Sequence, residues 1–171
     1  MEPNDRPPMP AGVDEFVQEN GRTFMITRRK DGMPTAHPMA RFYAEGRVFL
    51  NMYSKSLKHH ILERDPKITC LITNRWDAPD FKAVVYRGEA RRVSIAETLA
   101  DDAPLGIRIA RTGSMEAAIA ADGDLSRFAG EDRDDLRKRA KIMVQRIASE
   151  TRVLWEVVPD QTEFLDRARE E

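Results

Sequence analysis

From residue 22 the pattern changes to a period of two, and short β-rich runs closed by turn signals recur as far as residue 93. Runs of this kind bury one face each and pair edge to edge, so the chain must build a sheet and cannot be a helical bundle. In residues 22–27, Phe24 and Ile26 alternate with Thr23, Met25 and Thr27. Lys30-Asp31-Gly32 gives a hairpin turn into a second strand over 34–42, and Glu45-Gly46 a turn into a third over 47–53, which predicts a three-stranded meander. Residues 68–73 make a short β-rich run and 83–93 a long one interrupted by Gly88, a mark of a bulge or a close backbone approach. Residues 152–158 alternate Val153, Trp155 and Val157 with Leu154, Glu156 and Val158 and predict a sixth strand ending at Pro159.

Helical signals fall between these strands. Residues 13–19 predict a short helix closed by a left-handed residue at Asn20-Gly21. Ser54 is the expected N-cap of a helix that presents Leu57, Ile61 and Leu62 on one side and stops at Asp65-Pro66. Ser94 and Glu97 have the spacing of a capping box, residues 114–121 read as helical, and 132–150 place Leu136, Ala140, Met143, Val144 and Ile147 on one stripe of a packing helix. The expected fold is α+β: a six-stranded antiparallel split β-barrel with peripheral helices. Residues 1–12, with four prolines at 3, 7, 8 and 10, predict a flexible leader, and residues 13–171 a single domain with a helical insertion at about 95–150.

Charge narrows the function. Lys and Arg total 28 against 29 Asp and Glu, so no global field exists to drive nucleic-acid or membrane-surface binding, and any anion site must be local. No apolar run reaches the ~18 residues of a membrane span. One cysteine, Cys70, forms no internal disulfide and belongs to no zinc framework, which makes a cytoplasmic location the expectation.

The most informative local segment is Tyr53-Ser54-Lys55-Ser56-Leu57-Lys58. Free N–H groups at a helix start attract anions, whereas two lysines there oppose the helix dipole by ~0.3–1 kcal/mol each unless an anion offsets them. A phosphate accounts for both, and a solvated basic turn is the plainer alternative. His59 and His60 are adjacent on a helix, about 100° apart, and cannot chelate one metal as an i, i+4 pair does; surface or half-buried rings are expected. Cys70 in a buried-strand pattern reads as an inert packing residue, and Trp76 and Trp155 as core aromatics before cofactor stackers. No GxSxG, P-loop or dinucleotide fingerprint is present.

Taken in order, these pieces resemble the pyridoxamine 5′-phosphate oxidase-like family of FMN-binding split barrels. The resemblance spans residues 21–165, with 99–150 unmatched. It is carried by Asp31-Gly32-Met33-Pro34 with His37-Pro38-Met39, by Gly46-Arg47-Val48-Phe49-Leu50, by Ser56-Leu57-Lys58, and by Arg64-Asp65-Pro66-Lys67-Ile68. Gly88-Glu89-Ala90-Arg91-Arg92-Val93-Ser94 and Val157-Val158-Pro159-Asp160-Gln161-Thr162-Glu163-Phe164 complete it. The resemblance implies an FMN-dependent oxidoreductase acting on a small organic substrate, built as a homodimer with cofactor at the subunit interface; the charge balance adds that no nucleic-acid or membrane partner is expected. It implies that Lys58, with Ser56, meets the cofactor phosphate, that His37, Pro38 and Met39 line the isoalloxazine and ribityl chain, and that Asn51 and Met52 contact it from the neighbouring strand. It singles out no catalytic side chain and no metal.

Departures from the family pattern bear on substrate. His37 stands where the authentic oxidase carries an arginine, Phe42 where it carries a lysine for the substrate phosphate, and Leu165 where it ends on tryptophan; the terminal Arg-Leu-His motif is absent from this sequence. Vitamin B6 oxidation is therefore not expected. Two alternatives remain open: a deazaflavin-dependent reductase of the same fold, whose acidic coenzyme tail would need further cations such as Arg28, Arg29 or Lys30, and a non-catalytic flavin- or haem-binding protein.

Overall fold

A computed structural model of the chain describes residues 7–44, 46–75, 77–99, 142, 145–146 and 148–166. The helix read at 114–121, most of the helix at 132–150, Trp76 and the first six residues lie outside the described residues. Helices α1 (Val13–Glu19), α2 (Leu57–Arg64) and α3 (Ile95–Leu99) accompany β1 (Arg22–Arg28), β2 (Pro34–Met39), β3 (Arg41–Ala44), β4 (Arg47–Tyr53), β5 (Lys67–Thr73), β6 (Lys82–Arg92) and β7 (Arg152–Asp166). The strands form one antiparallel sheet in the order β2-β1-β5-β6-β7-β4-β3.

β2 and β3 hold opposite edges of that sheet, yet only Ala40 separates them in sequence. This corner brings the two edges together and curls the sheet into a half-barrel, because a twisted sheet offers no straight path along both its edges. The single strand expected over 34–42 is thus two, and the sheet has seven strands rather than six. The expected meander also resolves into two hairpins: β2 pairs with β1, whereas β3 and β4 pair with each other and join the sheet through β7.

Gly88 marks a real bulge. The β6–β7 register shifts between Arg87 and Gly88, and a Cβ at Gly88 would stand 2.8 Å from both the Asp160 amide nitrogen and Pro159 Cα. Pro159 does not end the last strand as the sequence suggests; it lies opposite Gly88, and β7 continues to Asp166. Proline is tolerated at such a break because the ladder does not need its missing N–H.

α1 ends at Asn20 in extended backbone, with no left-handed residue: the Asn20 side chain donates to Phe16 O, and Arg41 donates to the carbonyls of Val17 and Asn20. Those carbonyls have no intrahelical partner, which is why the long-range guanidinium can replace a glycine cap. α2 is capped by Ser56 rather than Ser54. The Ser94–Glu97 capping box forms as read, with Ser94 N donating to the Glu97 carboxylate at 2.9 Å and Glu97 N to Ser94 Oγ at 3.0 Å.

The core fills the barrel. Met25, Leu50, Met52, Cys70, Ile72, Val84 and Trp155 of the sheet pack into one cluster with Val13, Phe16 and Val17 of α1 and Leu62 of α2. On the opposite face of β7, Glu156 is 1% exposed and accepts from Arg47 at 2.7 and 2.6 Å and from Arg91 at 3.0 and 2.7 Å. Two guanidiniums on one carboxylate make this burial tenable. Among the described residues, no helix is long and apolar enough to cross a membrane.

Candidate functional site

The site grows from the junction of β2 and α2. β2 is a sheet edge, which is where a strand can carry the two prolines Pro34 and Pro38. Its alternation turns Thr35, His37 and Met39 to one face and leaves Ala36 and Pro38 exposed on the other. α2 begins where the Ser56 side chain accepts the His59 N–H at 3.4 Å while its hydroxyl donates to Tyr53 O at 2.7 Å. The first turn of α2 carries no acidic residue and does carry Lys58, against the helix dipole.

Lys58 crosses to β2, its ammonium 3.3 Å from Met39 Sδ, and has no carboxylate partner among the described residues. Burial, with the Lys58 charge adding to it, pulls the His37 imidazole below its ordinary pKa, so that ring is neutral at pH 7. Its Nε2 is enclosed without a hydrogen-bond partner among the described residues. An unpaired cation beside a neutral ring with an orphaned polar atom is an arrangement that gains from an anionic, hydrogen-bonding ligand.

The structure brings together His37, Met39 and Lys58, with Ser56 capping the same helix. It separates the other expected contacts: Asn51 and Met52 leave β4 on opposite faces, Met52 into the barrel core and Asn51 away from it, both buried. Pro38 is exposed on the face of β2 away from His37. Lys55 does not accompany Lys58; it lines a cleft of about 660 Å³ with Tyr53, Ser54, Ser56, Ser149, Glu150 and Thr151. Arg152, next in the chain, stacks its guanidinium 3.4 Å from the centre of the Tyr53 ring.

Other sequence candidates resolve into structure. Cys70 is fully buried and burial pushes its thiol up to about 12, an inert packing residue as read. Trp155 is a core residue, but its indole N–H donates to His59 Nδ1 at 3.3 Å. His59, expected at or near the surface, is 4% exposed because it closes that bond, whereas His60 is exposed. His59, His60 and Glu63 place one donor atom each within 4.8 Å of one another. They are not free to hold a metal: Nδ1 of His59 accepts from Trp155, so the neutral ring carries its proton on Nε2 and offers it to Glu63. No periodicity in the sequence could have foretold this pairing, which spans 96 residues.

No protein-family model and no curated protein matches the chain. Solved structures do. The conserved hypothetical protein Rv2991 from Mycobacterium tuberculosis superposes with a TM-score of 0.65 at 20% identity, covering 95% of this chain and 88% of that one. HutZ, the haem storage protein from Vibrio cholerae, superposes at 0.57 with 15% identity over 90% and 91% of the two chains. A Listeria innocua protein provisionally assigned as a pyridoxamine 5′-phosphate oxidase superposes at 0.52 with 16% identity over 88% and 93%. At these identities the likeness is one of fold, and it agrees with the curled antiparallel sheet and the order of motifs along the chain: the protein has the split-barrel fold of the pyridoxamine 5′-phosphate oxidase-like proteins.

Proposed function

We propose that the protein binds FMN, with the phosphate on Lys58 and the first turn of α2 and the ring system along β2, and that it is an oxidoreductase for a small organic substrate other than a B6 vitamer. The observation that carries this reading is the Lys58 ammonium, set on β2 beside Met39 and His37 with no carboxylate partner among the described residues. A phosphate there would take a charge-assisted bond from Lys58 and remove the conflict between this cation and the helix dipole. The orphaned His37 Nε2 supplies a polar contact for a ribityl hydroxyl or ring heteroatom. Bound FMN would itself supply the hydride and single-electron chemistry, and the chain's residues would hold it, orient it and keep water from it.

Phe42 is buried in the β3–β4 hairpin and presents no cation, which supports excluding a phosphorylated pyridoxamine as substrate. A deazaflavin with an acidic tail is less well served: Arg28 is paired with Asp65 at 2.9 Å and Arg29 with Asp31 at 3.1 Å. Haem binding is the second reading, since an imidazole Nε2 without a partner is also an axial iron ligand and HutZ shares the fold. In keeping with the fold, we assign a homodimer that completes each site from two subunits, in the cytoplasm. The absorption spectrum and mass of the compound that co-purifies decide among flavin, deazaflavin and haem. A purified protein that neither retains nor takes up FMN at micromolar concentration overturns the reading.

A further inference from the structure

α2 has only three buried side chains, His59, Ile61 and Leu62, and one of them titrates. That one also makes a buried polar tie of the helix to the sheet: His59 Nδ1 accepts from Trp155 of β7, and its Nε2 lies 3.2 Å from Glu63 Oε1 on the next turn of the helix. Trp155 N–H is donor only, so the contact exists only while Nδ1 has a free lone pair. A proton on Nδ1 sets two N–H groups against each other in a buried position, where an unmade hydrogen bond is most costly.

We propose that Trp155, His59 and Glu63 form an acid-operated latch on α2, in which a proton taken up by His59 breaks the tie to Trp155 and frees the N-terminal half of the helix. The imidazolium is drawn instead toward the carboxylate of Glu63, which is half exposed and lies on α2 itself, so the new ion pair no longer anchors the helix to the sheet. His60 on α2 and Arg92 on β6 oppose that charge, as does burial, and Glu63 favours it. The far end of α2 stays fixed, because Arg64 donates to Arg28 O at 2.6 Å and Asp65 is paired with Arg28. The motion is therefore a loosening of the first turn, which carries Ser56 and Lys58. Its consequence for ligand rests on the FMN reading above: acid weakens the phosphate contact by detaching the turn that makes it.

The latch can be read without any ligand. In the full-length protein, the indole N–H resonance of Trp155 and the exchange of the α2 amides are followed from about pH 7.5 down to about pH 4.5, a range that reaches well below the ordinary imidazole value because burial lowers that of His59. In the wild type the indole signal should shift, and α2 amide exchange, corrected for its intrinsic pH dependence, should accelerate; in His59→Gln, which accepts and donates but does not titrate, both should stay level. Trp155→Phe serves as a second variant, removing the donor: its α2 exchange should be raised at neutral pH and respond less to acid. An indole signal that does not titrate in the wild type, or equal acid acceleration in wild type and His59→Gln, overturns the latch.

FMN titration over the same range tests the consequence. One proton bound on release can raise Kd by up to about tenfold per pH unit, and since a phosphate also titrates near pH 6, the reading is the excess of the wild type over His59→Gln. Absence of any excess, with FMN bound through Lys58, counts against the latch. Failure of FMN to bind at all sinks the cofactor reading and leaves the indole and exchange measurements to decide the latch.

Discussion

Gly88 of β6 lies against the Val158 carbonyl of β7 with no room for a side chain, and the register of the two longest strands shifts at that point. Backbone atoms, not a flexible side chain, fill the space a Cβ would need. Gly88→Ala should therefore cost ~1–3 kcal/mol or more, as overpacking does where neighbours cannot yield. Chemical denaturation would read it as a lowered midpoint at constant slope; an unchanged midpoint would show that the bulge relaxes freely.

Glu156 and its two arginines make a second stability prediction. Removing the carboxylate leaves Arg47 and Arg91 facing each other at a position where Glu156 is 1% exposed. Glu156→Gln should destabilise by ~1.5–3 kcal/mol, the worth of a hydrogen bond to a charged group, since Arg47 loses its carboxylate while Arg91, 43% exposed, keeps Glu97. The double variant Glu156→Gln with Arg47→Met should recover part of that loss. A single variant within ~1 kcal/mol of the wild type would show that water reaches Arg47 as it does Arg91.

For the ligand, Lys58→Ala should weaken FMN binding by ~1.5–3 kcal/mol, roughly ten- to hundredfold in Kd, the usual worth of a hydrogen bond to a charged group. Lys55→Ala should change Kd little, since Lys55 lines the cleft shared with Tyr53 and Glu150 whereas Lys58 reaches across to Met39. If the two variants behave alike, the site is a diffuse basic turn and not a built phosphate contact.

Acid should destabilise the fold in two stages. His37 and His59 are held below their ordinary value of 6.5, so the unfolded chain takes up protons the folded one resists. Their share of stability is complete above about pH 6.5 and declines as pH falls below it. Glu63, Asp65 and Glu97 are held below their ordinary values of 4.5, 3.8 and 4.5, the first two chiefly by the bonds of His60 and Arg28 and Glu97 by the bonds of Ser94 and Arg91, which outweigh the opposing burial. Their share is present above those values and is lost only as pH drops further. Melting curves should show an early decline below neutrality that is reduced in His59→Gln, followed by a steeper one; a flat profile down to pH 5 would contradict the first stage.

Glu150 holds a left-handed backbone angle, φ 55°, at the turn into β7. Glu150→Gly should raise stability by ~0.5–1 kcal/mol, since only glycine takes that angle without a Cβ penalty. A lower melting temperature in this variant would mean that the glutamate side chain contributes more than the strain costs.

Local chemistry made much of this protein legible from its sequence. The strands at residues 47–53 and 152–158, the turn at Asp31-Gly32, the Ser94–Glu97 box and the break at Gly88 each depend on neighbours within a few residues, and each is present in the structure. The corner at Ala40 was not legible, because which edge a strand pairs with is decided by sheet closure and not by its own pattern. Nor was the fate of Pro159, which depends on what lies opposite it, nor the separation of Lys55 from Lys58, which follows from the start of α2 at Ser56 and the position of Met39 across the barrel corner. His59 shows the limit most plainly: its sequence neighbours place it on a helix, and only the arrival of Trp155 from a distant strand turns a solvent-facing imidazole type into a buried acceptor. Short-range preferences are written in the residues that express them, whereas the pairing of buried polar groups is settled by which distant elements the hydrophobic core brings together.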